Sequence, residues 1–228
     1  MTGPALRIAS YNTRDFLDDR LAAARVIRAI SPDVLCLQEV PRRLFAGGRV
    51  RRFARECGMR WPGGHRGSGG TTIFLSERLT WEVAWHRRLA VAVFLRTRGY
   101  AAVRLITPAG RPLVVASVHL SLRAGERHAH ARDILTSVGD LAGDDGAVVV
   151  AGDLNEHESG LAWQLLASRL TRVSPADPTF PTRRPRVLLD VIFATPDVPV
   201  LPHADVALAE SDLLAASDHR PVWVDLLV

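Results

Sequence analysis

The chain has 228 residues, 47% hydrophobic and 23% charged, which allows one sizeable core in a single domain over 1–228. Two cysteines, Cys36 and Cys57, exclude a disulfide scaffold and a cysteine-built zinc site, and no apolar run is long enough to span a bilayer. All 29 basic residues are arginine against 24 acidic ones, a net charge of +5 that suits anionic partners.

GC-rich coding can also produce such an arginine bias. No charged-then-apolar leader opens the chain, so a cytoplasmic location is expected.

Residues 6–11 read as a strand ending at Asn12. Leu17, Leu21, Ala24, Ile27 and Ile30 recur at helical spacing, and Ser31-Pro32-Asp33 ends that helix. Val34 to Gln38 is a buried strand leading to Glu39, with Cys36 as a small core residue. This β-α-β unit points to a layered α/β sheet. A second helix is expected over about 49–57, then a glycine-rich loop at 63–70. Strands follow at about 72–76, 81–86, 91–96 and 101–107, and Pro108 to Arg111 turns the chain into a strand at 113–118. A polar helix at about 125–141 precedes the strand Ala147 to Ala151. A short helix near 160–168 and a proline-rich loop at 174–186 come next. The last strands are expected near 187–194, 204–209 and 221–227.

Polar residues stand at the ends of five strands. Asn12, Gln38-Glu39, His119, and Asp153 with Asn155 stand at four strand exits, and Asp218-His219 leads into the terminal strand. In layered α/β sheets, strand ends are where sites are built. Gly152 is read as a tight turn, and Asp153 and Asn155 share one face while the chain stays extended. A carboxylate beside a carboxamide there can hold a hydrated divalent cation or orient a water. Each residue also has a structural reading. Asn12 can cap a helix, His119 can be a core histidine, and Asp153 and Asn155 can form a turn. Asp190, inside Val187-Leu-Leu-Asp-Val-Ile-Phe193, is hardest to explain that way, because a charge among apolar strand residues needs a partner.

In order, the motifs are Ser10-Tyr11-Asn12, Leu37-Gln38-Glu39-Val40, Val118-His119-Leu120, Gly152-Asp153-Leu154-Asn155, Leu189-Asp190-Val191-Ile192-Phe193 and Ser217-Asp218-His219-Arg220-Pro221-Val222. This series resembles the endonuclease/exonuclease/phosphatase superfamily over essentially the whole chain. The resemblance implies an α/β (α+β) fold of the deoxyribonuclease I type. That fold is a four-layer sandwich of two packed mixed β-sheets flanked by helices. It also implies hydrolysis of a phosphate ester with Mg2+ or Mn2+. Glu39 would be the principal metal ligand, with Asn12, Asp153 and Asp218 at or near the metal. Asp153 would orient or deprotonate the attacking water, and Asn155 and Asn12 would hold the phosphate. His219 would be a general base or a stabilising cation, its tautomer fixed by Asp190. His119 would protonate the leaving oxygen or bond the phosphate. Arg183, Arg184 and Arg186 lie where family members place substrate contacts, with Arg127 and Arg132 as weaker candidates.

His128 and His130 read instead as a solvated helix face, and Glu156 to Glu158 as helix-start polarity able to line a cleft. The chain departs from the family at Val191, where a tyrosine is more usual. His119 resembles the deoxyribonuclease I and sphingomyelinase members more than abasic-site endonucleases. A phosphodiesterase or nuclease is the leading expectation. The alternatives are an enzyme acting on a small phosphorylated metabolite or lipid headgroup, and an inactive binding module. The expected partner is a phosphate-ester substrate, nucleic acid among the candidates, and a monomer is expected.

Overall fold

The structure is a computed structural model that describes residues 5–43, 45–65, 67–92, 97–107, 110–202 and 205–228. Its strands are β1 (Ala5–Asn12), β2 (Val34–Gln38), β3 (Thr72–Leu75), β4 (Trp81–Leu89), β5 (Arg98–Ile106), β6 (Pro112–His119), β7 (Ala147–Asp153), β8 (Thr171–Arg172), β9 (Asp190–Ala194) and β10 (Val222–Leu227). Its α-helices are α1 (Arg20–Ile30), α2 (Ala46–Glu56), α3 (Ala124–Ala142), α4 (Leu161–Ala167) and α5 (Glu210–Ala216). The strands form a four-stranded sheet, β10-β1-β2-β3, and a six-stranded sheet, β4-β5-β6-β7-β9-β8. Both are mixed, since β1–β2 and β6–β7 are parallel and the other pairs antiparallel.

Strand parity assigns each side chain to a layer. Leu6, Ile8, Val34, Cys36, Leu113, Val115, Ala147, Val149, Ala151, Ile192 and Ala194 pack between the sheets. The alternate residues face outward. Ala9, Tyr11, Leu35 and Leu37 meet α1, α2 and α5, while Val114, Ala116, Val148, Val150 and Phe193 meet α3 and α4. The central strands are therefore apolar on both faces, as helix-covered strands must be. Each fully buried Val, Leu or Ile contributes about 1.5–3 kcal/mol.

The inter-sheet layer turns polar toward one end. Gln38 Nε2 donates to Ser117 Oγ on the opposite sheet at 3.1 Å, and Ser117 Oγ donates to the Leu37 carbonyl at 3.0 Å. One step further along the same parity stand Asn12, His119, Asp153 and Asp190. Asn12 aligns with Gln38, His119 with Asp153, and Asp153 with Asp190.

Several expectations are corrected. Leu17 and Leu21 are exposed and α1 begins only at Arg20, because Asp19 caps it by accepting from Leu21 N and Ala22 N. The second helix starts at Ala46 rather than near 49. Residues 205–209 form no strand; the chain goes on to α5, whose Leu213 and Ala216 pack beside α1. The strand expected at 187–194 begins at Asp190, with Val187 in an isolated bridge to Phe180. His130 is buried, its Nε2 2.6 Å from the Ala90 carbonyl, so it is not on a solvated face. The strand expected at 91–96 falls largely outside the described residues, as do Pro108 and Ala109 of the expected turn.

Candidate active site

Gly152 serves close approach rather than turning. A Cβ at that position would lie 2.0 Å from the Val118 carbonyl oxygen, so β7 can pass β6 here only without a side chain. The turn comes two residues later. Asp153 Oδ1 accepts the Asn155 backbone N–H at 2.9 Å, and Asn155 is left-handed at φ 49°. Asp153 and Asn155 therefore do not leave one extended face. Asn155 swings over so that its Nδ2 donates to the Leu120 carbonyl at 3.1 Å. Glu39 behaves alike. Strand parity would send it toward the helices, but at φ 51° its carboxylate returns to 3.9 Å from His119 Nε2.

Asp153 is the hub. Its Oδ2 accepts Asn12 Nδ2 at 3.0 Å and lies 3.5 Å from His119 Nε2 and 3.9 Å from His219 Nε2. Asn12 is engaged at both ends, since its Oδ1 accepts the Arg14 backbone N–H at 3.1 Å. His219 Nδ1 meets Asp190 Oδ2 at 2.8 Å, which leaves Nε2 facing Asp153. Burial pushes the Asp153 carboxyl up, and the neighbouring Asp190 charge adds to it, to about 7. Burial lowers His219, but the charge and hydrogen bond of Asp190, then Asp153 and Asp218, outweigh it and raise the ring to about 9.

Three contributors were given no role by the sequence reading. Thr179 is buried and donates its hydroxyl to Asp190 Oδ2 at 2.6 Å while accepting the Leu189 and Asp190 N–H groups at 3.2 Å. Ser217 Oγ donates to the Asn12 carbonyl at 2.7 Å and ties the last loop to the first strand. Arg14 Nε lies 3.3 Å from Asp218 Oδ2 and its Nη1 bonds Asp18 at 3.2 Å. Thr179 stands in Pro178-Thr179-Phe180 with no strand pattern to mark it, so only the fold reveals its role.

Arg183 lines a cavity of about 230 Å³ with Arg14, Thr182 and Asp218, beside the cluster. Arg184 and Arg186 are exposed, and among the described residues no contact joins their side chains to the cluster. Arg127 is committed to buried Glu156 at 2.8 Å, and Glu156 also accepts the Trp163 N–H at 3.0 Å, so neither lines the cleft. Arg132 is exposed beside Asp133.

The donor set fits a hard divalent cation. Glu39, Asp153 and Asp218 offer carboxylate oxygens, the ligand class Mg2+ prefers. The carboxylate of Glu39 accepts no hydrogen bond among the described residues, and Asp190 Oδ1 is buried without a partner. Asp153, Asp190 and His219 each place a ligand atom within 4.8 Å of the others.

The model of the Endonuclease/Exonuclease/phosphatase family matches residues 9–219, spanning every one of these groups. The chain belongs to this family. No curated protein sequence matches it. Solved structures share the family fold at low identity. An endonuclease/exonuclease/phosphatase from Bacteroides vulgatus is 19% identical, with 98% of each chain covered and a TM-score of 0.79. The human Nocturnin catalytic domain with bound sulfate anion is also 19% identical, with 99% of this chain and 95% of that one covered and a TM-score of 0.75. The mannosyl-6-phosphatase Bt3783 of Bacteroides thetaiotaomicron VPI-5482 is 17% identical, covering 98% of this chain and 100% of its own, at a TM-score of 0.76. Family members are hydrolases of phosphoester bonds, and the family is generally dependent on divalent metals. Among the described residues no helix is long and apolar enough to cross a membrane.

Proposed function

We propose that this protein hydrolyses a phosphodiester, nucleic acid being the favoured substrate, with Mg2+ or Mn2+ bound at Glu39. The carrying observation is the convergence on Asp153 Oδ2 of Asn12 at 3.0 Å, His119 at 3.5 Å and His219 at 3.9 Å. In-line displacement at phosphorus needs an aligned water, charge neutralisation and help for the leaving oxygen. When bound, the cation supplies charge neutralisation at the phosphate oxygens, held by Glu39 with Asp153, Asp218 and Asn12 as companions.

The remaining roles belong to the side chains. Asp153, buried and oriented by Asn12 at 3.0 Å, takes the proton of the attacking water at Oδ2. His219, which the Asp190 charge and hydrogen bond push toward its protonated form, points Nε2–H at the site to stabilise developing phosphate charge. Asp190 holds the other ring nitrogen at 2.8 Å. His119 donates toward the leaving oxygen, Asn155 and Asn12 orient the phosphate, and Arg183 and Arg186 contact the substrate beyond it. The sulfate on the Nocturnin domain and the sugar phosphatase among the neighbours support phosphoester chemistry on this fold. The arginine excess favours a polyanion.

The test is Mg2+-dependent nicking of supercoiled plasmid, with His219→Ala purified identically as control. Nicking by the wild type alone supports the reading. Turnover of mannose 6-phosphate without nicking would overturn the phosphodiester assignment. No turnover of either by folded, metal-loaded protein would leave a binding module.

A further inference from the structure

We propose that a cavity lined by the segment that follows Glu39 receives the nucleobase of the substrate, which makes the substrate a nucleotide or polynucleotide rather than a sugar phosphate; the placement of its phosphate rests on the function proposed above. The cavity holds about 700 Å³, within the range of small-molecule sites, and its walls include Arg42, Arg43, Phe45, Gly47, Trp61 and His65. Among the described residues no acidic side chain lines it.

It lies at the site's end of the sandwich. Arg42 follows Glu39 by three residues, so their Cα atoms are within about 11 Å. Arg42 Nη1 donates to Thr97 Oγ1 at 2.8 Å, and the next residue, Arg98, donates from Nε to the Leu120 carbonyl at 2.9 Å. That carbonyl is the one that accepts Asn155 Nδ2 at 3.1 Å.

The chemistry of the walls is aromatic and cationic. Phe45 is 86% exposed and left-handed at φ 60°, a backbone region that bulky side chains seldom adopt. One exposed apolar side chain needs no explanation. An exposed ring on a strained backbone, among arginines and sharing a cavity with a second aromatic, does. That second ring, Trp61, is fixed by Nε1 donating to Thr72 Oγ1 at 2.9 Å and by the Arg51 guanidinium 5.8 Å from its centroid. A Cβ on Gly47 would stand 3.9 Å from Trp61 Cη2, so a side chain there would begin to fill the cavity. Gly47 and Gly48 also lie in the first turns of α2, where glycine weakens the helix. Among the described residues no ion pair holds Arg43. Flat rings with unneutralised guanidinium groups are the chemistry that stacks a base while tracking its phosphates.

The experiment is calorimetric titration of metal-free enzyme with AMP and, separately, ribose 5-phosphate, for the wild type, Phe45→Ala and Phe45→Trp. Stacking of one base predicts AMP binding about 5- to 150-fold tighter than ribose 5-phosphate. Phe45→Ala should shrink that ratio toward one, and Phe45→Trp should keep it. Equal affinity for the two ligands, a ratio unchanged by Phe45→Ala, or no AMP binding at millimolar concentration would each overturn the proposal. Loss of affinity for both ligands in Phe45→Ala would assign the ring contact to the sugar and overturn it too. Turnover of bis-p-nitrophenyl phosphate, which carries no base, reads the catalytic assignment separately. Its absence with the AMP preference intact would sink the phosphoesterase reading while supporting the base cavity.

Discussion

Asp190→Asn removes one charge from a fully buried position while preserving shape. The Asp190 carboxylate supplies the two largest influences that raise His219, its charge and its hydrogen bond, against a burial effect that acts to lower the ring. The rise from 6.5 to about 9 corresponds to about 3 kcal/mol of preference for the protonated ring in the native state. Because the native value is the higher one, this stability is complete below about pH 6.5 and is lost as pH rises through about 9. In Asp190→Asn the ring should titrate below 7, by about 2 or more, and the variant should be less stable by up to about 3 kcal/mol at pH 6. The deficit should shrink above pH 9. It is an upper bound, since the lost charge also relieves Asp153, whose carboxyl Asp190 helps to raise. The assays are NMR titration of the His219 ring and urea unfolding across pH. Turnover should fall by about 10² or more, because the imidazolium is missing at neutral pH. Wild-type His219 titrating near 6.5, or a ring indifferent to the substitution, would refute the electrostatic reasoning.

Three further outcomes are expected. Glu39→Gln should remove metal-dependent turnover and also the rise in Tm produced by Mg2+, which differential scanning fluorimetry reads without any substrate. Thr179→Val takes away the 2.6 Å hydroxyl donor to Asp190 and should cost about 1–3 kcal/mol of stability. It should lower kcat more than it raises KM, and Thr179→Ser should restore both; an unaffected kcat would make Thr179 structural only. Gly152→Ala drives a methyl to 2.0 Å from the Val118 carbonyl and should destabilise by about 3 kcal/mol or more in urea unfolding, with a neutral result showing that β7 can shift.

Much of the site was legible because polar residues at the ends of apolar strands have few structural uses. Asn12, Glu39, His119, Asp153, Asp190 and His219 all converge, although β1 and β10 lie in one sheet and β6, β7 and β9 in the other. The elements misread were those whose pattern is ambiguous locally. The apolar spacing of Leu17 and Leu21 mimicked a helix face, yet both are exposed and the Asp19 cap sets the true start. His130 sits among charged helix neighbours and gave no sign that it reaches the Ala90 carbonyl.

The order of elements, the strand parity and the polar residue at each strand exit are properties of the sequence, because side-chain alternation and apolar runs are local. Parity alone puts Asn12, His119, Asp153 and Asp190 in the layer between the sheets, one step past Ser10, Gln38 and Ser117. Only the tertiary structure could decide that Glu39 returns to that layer through a left-handed backbone and that Thr179 holds Asp190. It alone raised both groups, His219 through the charge and hydrogen bond of Asp190 and Asp153 mainly through burial. Those outcomes depend on burial and on charges brought together from residues far apart in the chain, and no local pattern of side chains encodes either.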